Sequence, residues 1–227
     1  MWNGKNKAVT FSYDDGVETD KRLVELFNRY GLKCTFNLNS GIMTPESKWT
    51  ENGILIRRMP PDNLPEIYNG HEIAVHCSTH ANLTEIGKRK IRREIKRDKE
   101  KLEKIFGCEI RGMAYPYGAY NKKIMKAARK CDIEFARTVN DTHNFKMPEN
   151  LLAFGATCHH QYEGLWQLVD EFIDYDGEEP AVFCVWGHSY EFAVNDNWYR
   201  IERLCKKISG YGNIFYGTNS EVYLKKC

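Results

Sequence analysis

Strand-like and helix-like stretches alternate along almost the whole chain, and that order leaves few folds open. Residues 7–13 read as a buried strand and Thr19–Tyr30 as a helix with Leu23, Leu26 and Phe27 on one face. Gly31 serves as a C-cap, and Lys33–Asn39 is the next strand. A loop over 40–62, with Pro45, Pro60 and Pro61, precedes a short helix near 63–69 and a strand over His71–His76. A long charged helix runs from about Lys88 to Phe106, followed by a strand at Arg111–Tyr115, a helix at Asn121–Cys131 and a strand at Glu134–Val139. Beyond a less regular stretch, Leu165–Asp174 reads as a helix, Ala181–Trp186 as a strand, Trp198–Ser209 as a helix and Ile214–Tyr216 as a last strand. Repeated β-then-α order predicts parallel strands with helical crossovers. Both a barrel and an open doubly wound sheet satisfy it.

No low-complexity linker or repeat divides the 227 residues, so a single domain over 1–227 is expected. No run of about 18 apolar residues is present, which predicts no membrane span. The N-terminal MWNGKNKAVTF lacks the apolar core of a signal peptide and points to a cytoplasmic protein. Eight scattered cysteines without a CxxC pair then read as reduced thiols. A net charge of +2 gives no argument for a polyanionic partner. The exception is local: Lys88–Lys104 holds ten basic residues against four acidic ones. Ile91, Ile95, Leu102 and Ile105 give that helix an apolar stripe. Its charged face reads as solvated, with pairs such as Glu100–Lys104, rather than as a nucleic-acid surface.

The chemistry collects just past strand ends, where barrels keep their functional residues. Asp14 and Asp15 follow the first strand, His76 and His80 (VHCSTH) the strand at 71–76, and Tyr115-Pro116-Tyr117-Gly118 the strand after Arg111. His188, in VWGHSYEF, follows the strand at 181–186. Imidazole and carboxylate donors in this mixture suit a divalent metal with one position left open. Strand alternation puts His76 and His71 on opposite faces, so His71 reads as structural. His159-His160 reads as a loop or substrate-rim feature, and Trp186 and Trp198 as core aromatics rather than groove walls.

The set FSYDDG, HCSTH, YPYG and WGHS, spread over about residues 7 to 190, resembles the polysaccharide deacetylases, carbohydrate esterase family 4. The resemblance implies a distorted (β/α) barrel of seven parallel strands. It implies a metal-dependent hydrolase that removes acetyl groups from an acetylated sugar or oligosaccharide, N-acetyl groups favoured. Asp14 would be the general base, and Asp15, His76 and His80 would hold the metal, Zn2+ by choice of donors. Tyr117 would offer its backbone N–H to the oxyanion, and His188 would protonate the leaving group. The implied partner is an acetylated carbohydrate, with no membrane and no nucleic acid; no oligomeric state follows. Two departures stand out. Ala114 occupies the place of the arginine that pairs with the catalytic aspartate in the family, and Arg111 faces the other way. Arg137 is the better substitute, and ARTVND (136–141) stands where the family's tryptophan motif is expected. The alternatives are hydrolysis of another non-peptide C–N bond on the same barrel, or a non-catalytic sugar-binding relative.

Overall fold

The structure, a computed structural model, describes residues 2–224. In chain order the elements are β1 (Lys7–Asp14), α1 (Asp20–Arg29), β2 (Cys34–Leu38), β3 (Lys48–Glu51), β4 (Ile54–Arg57), α2 (Leu64–Ile67) and β5 (Glu72–Val75). They continue with α3 (Lys88–Phe106), β6 (Gly112–Ala114), α4 (Lys122–Arg129), β7 (Phe135–Asp141), β8 (Phe154–Ala156) and β9 (Cys158–His159). The chain ends with α5 (Leu165–Asp174), β10 (Ala181–Gly187), α6 (Tyr190–Val194), α7 (Trp198–Ile208), β11 (Ile214–Tyr216) and α8 (Asn219–Tyr223).

Nine strands form one sheet, in the order β8-β7-β6-β5-β2-β1-β10-β9, with β11 also pairing with β1. Every pairing in that sheet is parallel. All eight residues of β1 are buried. A parallel strand covered on both faces needs such a run rather than polar–apolar alternation. The seven expected strands are all present. The two additional ones, β8 and β9, come from the stretch read as irregular, because three and two residues are too short to show a period. Thr157 joins them: its N–H donates to Cys184 O (2.8 Å), while its C=O accepts from the His143 N–H (2.9 Å). One short segment thus bridges the two ends of the sheet's path.

The expected loop at 40–62 holds a second sheet, the antiparallel β3–β4 hairpin. Asn52 and Gly53 turn it, with φ of 47° and 79°, the two positive values a two-residue Asn-Gly hairpin requires. Its base is tied to the end of β1: the Met59 N–H donates to Gly16 O (2.9 Å) and the Glu18 N–H to Arg57 O (2.9 Å).

The long helix α3 begins and ends where expected. Ile91, Ile95 and Leu102 are buried under it, each contributing about 1.5–3 kcal/mol by transfer from water. Asp98 shares that stripe and is fully buried. Its carboxylate accepts the backbone N–H of Ser40 (2.6 Å) and of His76 (3.0 Å), so α3 fixes the end of β5. The seven described cysteines are free thiols, six of them buried; Cys227 lies outside the described residues. Among the described residues no helix is long and apolar enough to cross a membrane.

Candidate functional site

The Asp14-Asp15-Gly16 turn sends its two carboxylates to different partners. Asp14 ends β1 in extended backbone; Asp15 (φ 85°) and Gly16 (φ 65°) turn left-handed. A Cβ on Gly16 would lie 3.0 Å from Leu38 Cδ2, on top of the strained φ, so glycine is the residue that fits.

Asp14 is 3% exposed, and both of its oxygens lie 2.5 Å from Arg137 Nη2. Asn37 Nδ2 donates to the same carboxylate (2.8 Å). Arg137 is itself buried, donates to Ser12 Oγ (3.0 Å) and Thr138 O (2.8 Å), and lies under the Trp186 ring at 4.6 Å. Burial pushes the Asp14 carboxyl up, but Arg137, with the charged His188, outweighs it and holds its pKa at about 2. Ala114 pairs in register with Arg137 on the neighbouring strand. The missing guanidinium therefore enters one strand over.

Asp15 turns to Arg58, at the base of the hairpin. Arg58 Nη1 lies 3.0 Å from Asp15 Oδ1 and 2.9 Å from Asn39 Oδ1, and it also donates to the Asp15 carbonyl. His80 Nε2 is 3.6 Å and His76 Nε2 4.0 Å from that same Oδ1. His76 Nδ1 bonds to Ala114 O (2.9 Å), and a carbonyl can only accept. The ring proton therefore sits on Nδ1, and the Nε2 lone pair faces the aspartates. Burial lowers the pKa of His76, and it lowers that of His80 to about 4, so both rings are neutral. Asp15 stays ionised: burial raises its pKa, but Arg58 and the charged His188 bring it below the ordinary value.

Asp15, His76 and His80 each offer a ligand atom, all within 4.8 Å of one another. Two neutral imidazoles and an ionised carboxylate are a donor set that fits a divalent metal ion with a position left open.

His188 Nε2 stands 4.0 Å from Oδ2 of both Asp14 and Asp15. Its other nitrogen, Nδ1, bonds to Glu191 Oε1 at 2.9 Å. Burial pushes His188 down, but the Glu191 hydrogen bond and the two aspartates raise its pKa to about 9, leaving it protonated at neutral pH. Glu191 Oε2 in turn lies 3.1 Å from His159 Nε2 and 2.8 Å from His160 Nε2. His159 Nδ1 accepts the Gln161 N–H (3.2 Å), so its proton is on Nε2, facing Glu191. That tautomer turns the His159 N–H toward Glu191, so the second His–Glu cluster is hydrogen-bonded around this carboxylate. Gly187 makes it possible, since a Cβ there would meet His160 Nδ1 at 2.1 Å.

Tyr117 sits in a tight turn with φ 59°. Gly118 N–H donates to Tyr115 O (2.9 Å) and Ala119 N–H to Pro116 O (3.0 Å), and the Tyr117 N–H takes no part in these turn bonds. The tyrosine ring is 66% exposed and packs 4.7 Å from the His80 ring. The turn thus borders the Asp15–His76–His80 group. His71 is outside it, accepting the Cys34 N–H (3.2 Å) between Phe27 and Phe36. Arg111 pairs with Glu134 at the surface. Trp186 is buried, donating to Asp141 Oδ1 (2.7 Å), and Trp198 packs on Phe192.

Sequence reasoning missed Glu191 and Arg58. Glu191 could have been found three residues beyond His188, where the first turn of a helix brings it back. Arg58 had no local signal, because 43 residues separate it from Asp15.

Fold and site together define a parallel α/β protein with a carboxylate–imidazole centre at its strand ends. A family model described as polysaccharide deacetylase matches residues 3–136, more than half of the chain. The chain belongs to the polysaccharide deacetylase family, carbohydrate esterase family 4. YlxY of Bacillus subtilis (strain 168) is 22% identical over 134 residues, covering 59% of this chain and 38% of its own length. The chain thus spans well under half the length of that curated relative.

Three solved structures are similar in fold. The Streptococcus pyogenes deacetylase PplD, in complex with acetate, has 20% identity and a TM-score of 0.55 over 63% of this chain and 61% of its own. The family 4 carbohydrate esterase from Streptomyces lividans, also with acetate, has 16% identity and a TM-score of 0.58, covering 96% and 95%. BA3943 of Bacillus anthracis, a pseudoenzyme of the same family, has 14% identity and a TM-score of 0.59, covering 96% and 66%.

Proposed function

We propose that this chain is a metal-dependent deacetylase, built as one catalytic domain on a distorted barrel, that removes acetyl groups from an acetylated sugar or oligosaccharide. The observation that carries this reading is the split of the adjacent carboxylates. Asp15 joins His76 and His80, while Asp14 is held ionised by Arg137 with the protonated His188 4.0 Å away. Such an arrangement pairs a base and an acid across one small space.

A divalent ion held by Asp15, His76 and His80, zinc by its donor preference, would supply a water of lowered pKa and a Lewis acid for the acetyl oxygen. The remaining steps belong to the chain. Asp14 takes the proton of the attacking water as its oxygen bonds to the acetyl carbon. The Tyr117 N–H offers a fixed donor to the carbonyl oxygen as it gains charge. His188 gives its Nε2 proton to the leaving nitrogen as the C–N bond breaks, yielding acetate and a free amine. A histidine held protonated suits a poor leaving group, which favours N-acetyl over O-acetyl substrates. The departure at Ala114, which had favoured a non-catalytic relative, loses its force because Arg137 provides the guanidinium.

The test is bound metal by elemental analysis, then acetate release from a panel of N- and O-acetylated sugars, with and without EDTA. Acetate release should depend on the metal, and Asp14→Asn should lose about 10³-fold in kcat while keeping its metal. A metal-loaded protein that releases no acetate from any of these sugars would overturn the reading.

A further inference from the structure

Helices α3 and α4 pack side by side and concentrate the chain's positive charge. Together with Lys130 they hold fifteen basic residues against four acidic ones, so in a chain of net charge +2 the remainder carries −9. The sequence alone suggests a solvated outer face with pairs such as Glu100–Lys104. The structure engages three of the four acidic residues of α3 with neighbouring segments. Asp98 is buried on Ser40 and His76; Glu94 accepts the N–H and hydroxyl of Thr79 (2.8 and 3.0 Å); Glu103 accepts the Ile110 N–H (3.1 Å). Two pairs along the helix remain, Glu100 3.4 Å from Lys96 and Glu103 3.7 Å from Lys99. Helix α4 has no acidic residue.

We propose that the cationic surface of α4, with the cations of α3 beside it, binds an anionic glycan, the part of the substrate strand that extends beyond the site. This rests on the deacetylase reading above, and three observations support it. The first is shape: Lys122, Met125, Lys126, Arg129, Lys130 and Asn150 line a depression of about 460 Å³ with four cations and no carboxylate. The second is continuity with the site. The HCSTH loop that carries His80 is bound to α3 through Glu94, and Lys122 lies five residues beyond Tyr117, whose ring flanks His80. In parallel β/α architecture the helices start at the face where the strands end, so both helices lead away from the reacting centre. The third is extent: nineteen residues of α3 give a cationic ridge about 28 Å long, which suits charges repeated along a strand rather than a single phosphate. Nucleic acid would meet the same charge, but continuity with the proposed deacetylase site makes a glycan strand the occupant.

The test compares two oligosaccharides of equal length, one alternating N-acetylglucosamine with glucuronic acid and one of N-acetylglucosamine alone. Fluorescence anisotropy of labelled oligomers should show the anionic one binding about tenfold tighter at low salt, with the advantage gone at 0.5 M NaCl. Lys122→Glu/Lys126→Glu/Arg129→Glu should abolish that advantage while leaving binding and turnover of the neutral oligomer unchanged. Equal binding of the two oligomers by the parent protein, or an unaltered preference in the triple variant, overturns the inference. So does tight binding of single-stranded DNA without binding of the anionic oligomer. Failure to release acetate from either oligomer would count against the deacetylase reading instead, since the binding measurement stands apart from turnover.

Discussion

His80 and His188 meet different oxygens of Asp15, Oδ1 at 3.6 Å and Oδ2 at 4.0 Å, yet they are driven to opposite charge states. Burial works against the charged form in both, and for His80 it prevails: with His76 and Arg58 close by, its pKa falls to about 4. His188 has a partner that His80 lacks. Glu191 accepts a hydrogen bond from its far nitrogen and, with the aspartates, lifts its pKa to about 9. The same side chain thus becomes a neutral lone-pair donor on one side and a proton carrier on the other. What decides is the group behind the ring, and the aspartates shared in front of it do not.

Three measurements can break or sharpen that contrast. The largest effect is expected from Arg137→Ala, which leaves the buried Asp14 carboxylate without its guanidinium. Chemical denaturation at pH 7 should show a loss of about 3–5 kcal/mol. A loss below about 1 kcal/mol would mean that the histidines alone hold Asp14. Next, Glu191→Gln should cost about 10²–10³-fold on an N-acetyl substrate but less than about tenfold on 4-nitrophenyl acetate, whose leaving group needs no proton. Equal losses on both substrates would show that Glu191 maintains the fold and not the proton.

The smallest effect is the pH dependence of stability in metal-free protein. The folded pKa of His188 lies above its ordinary 6.5, so its contribution is complete below pH 6.5 and is lost as pH rises through about 9. The amount is roughly 3 kcal/mol, and Glu191→Gln should flatten that alkaline decline. His80 has the opposite sign: its folded pKa lies below 6.5, so stability falls as pH drops from 6.5 towards 4. His80→Gln should remove that acid-side loss and leave the alkaline side alone. Identical alkaline profiles for the parent and Glu191→Gln would dissolve the contrast.

Much of this was legible in the sequence where the signal is local. Helix α3 and helix α5 have the predicted ends, because each is a long run with an apolar period and a clear stop. The groups around Asp14, Asp15, His76, His80 and His188 lie together because parallel β/α order places successive strand ends at one face. What was not legible depends on contacts between distant segments. Arg137 could be nominated from strand parity, but its union with Asp14 spans 123 residues. The pair His159-His160 reads as a rim feature until α6, following β10, brings Glu191 against it. The β3–β4 hairpin is a different kind of omission: Asn52-Gly53 was a usable turn signal, obscured by the prolines on either side.

That hairpin cannot be treated as an exchangeable surface loop. Its base bonds to Gly16, and Arg58 grips the side chain and carbonyl of Asp15, the aspartate that sits with His76 and His80. Transplanting a loop of another length between β2 and α2 would therefore alter more than the outer wall. It would remove a positive charge from beside the candidate metal-ligand group, and the affinity of that group for a divalent ion should rise even as Asp15 loses its anchor. Loop exchange between members of the family would then carry over part of the candidate site along with the loop.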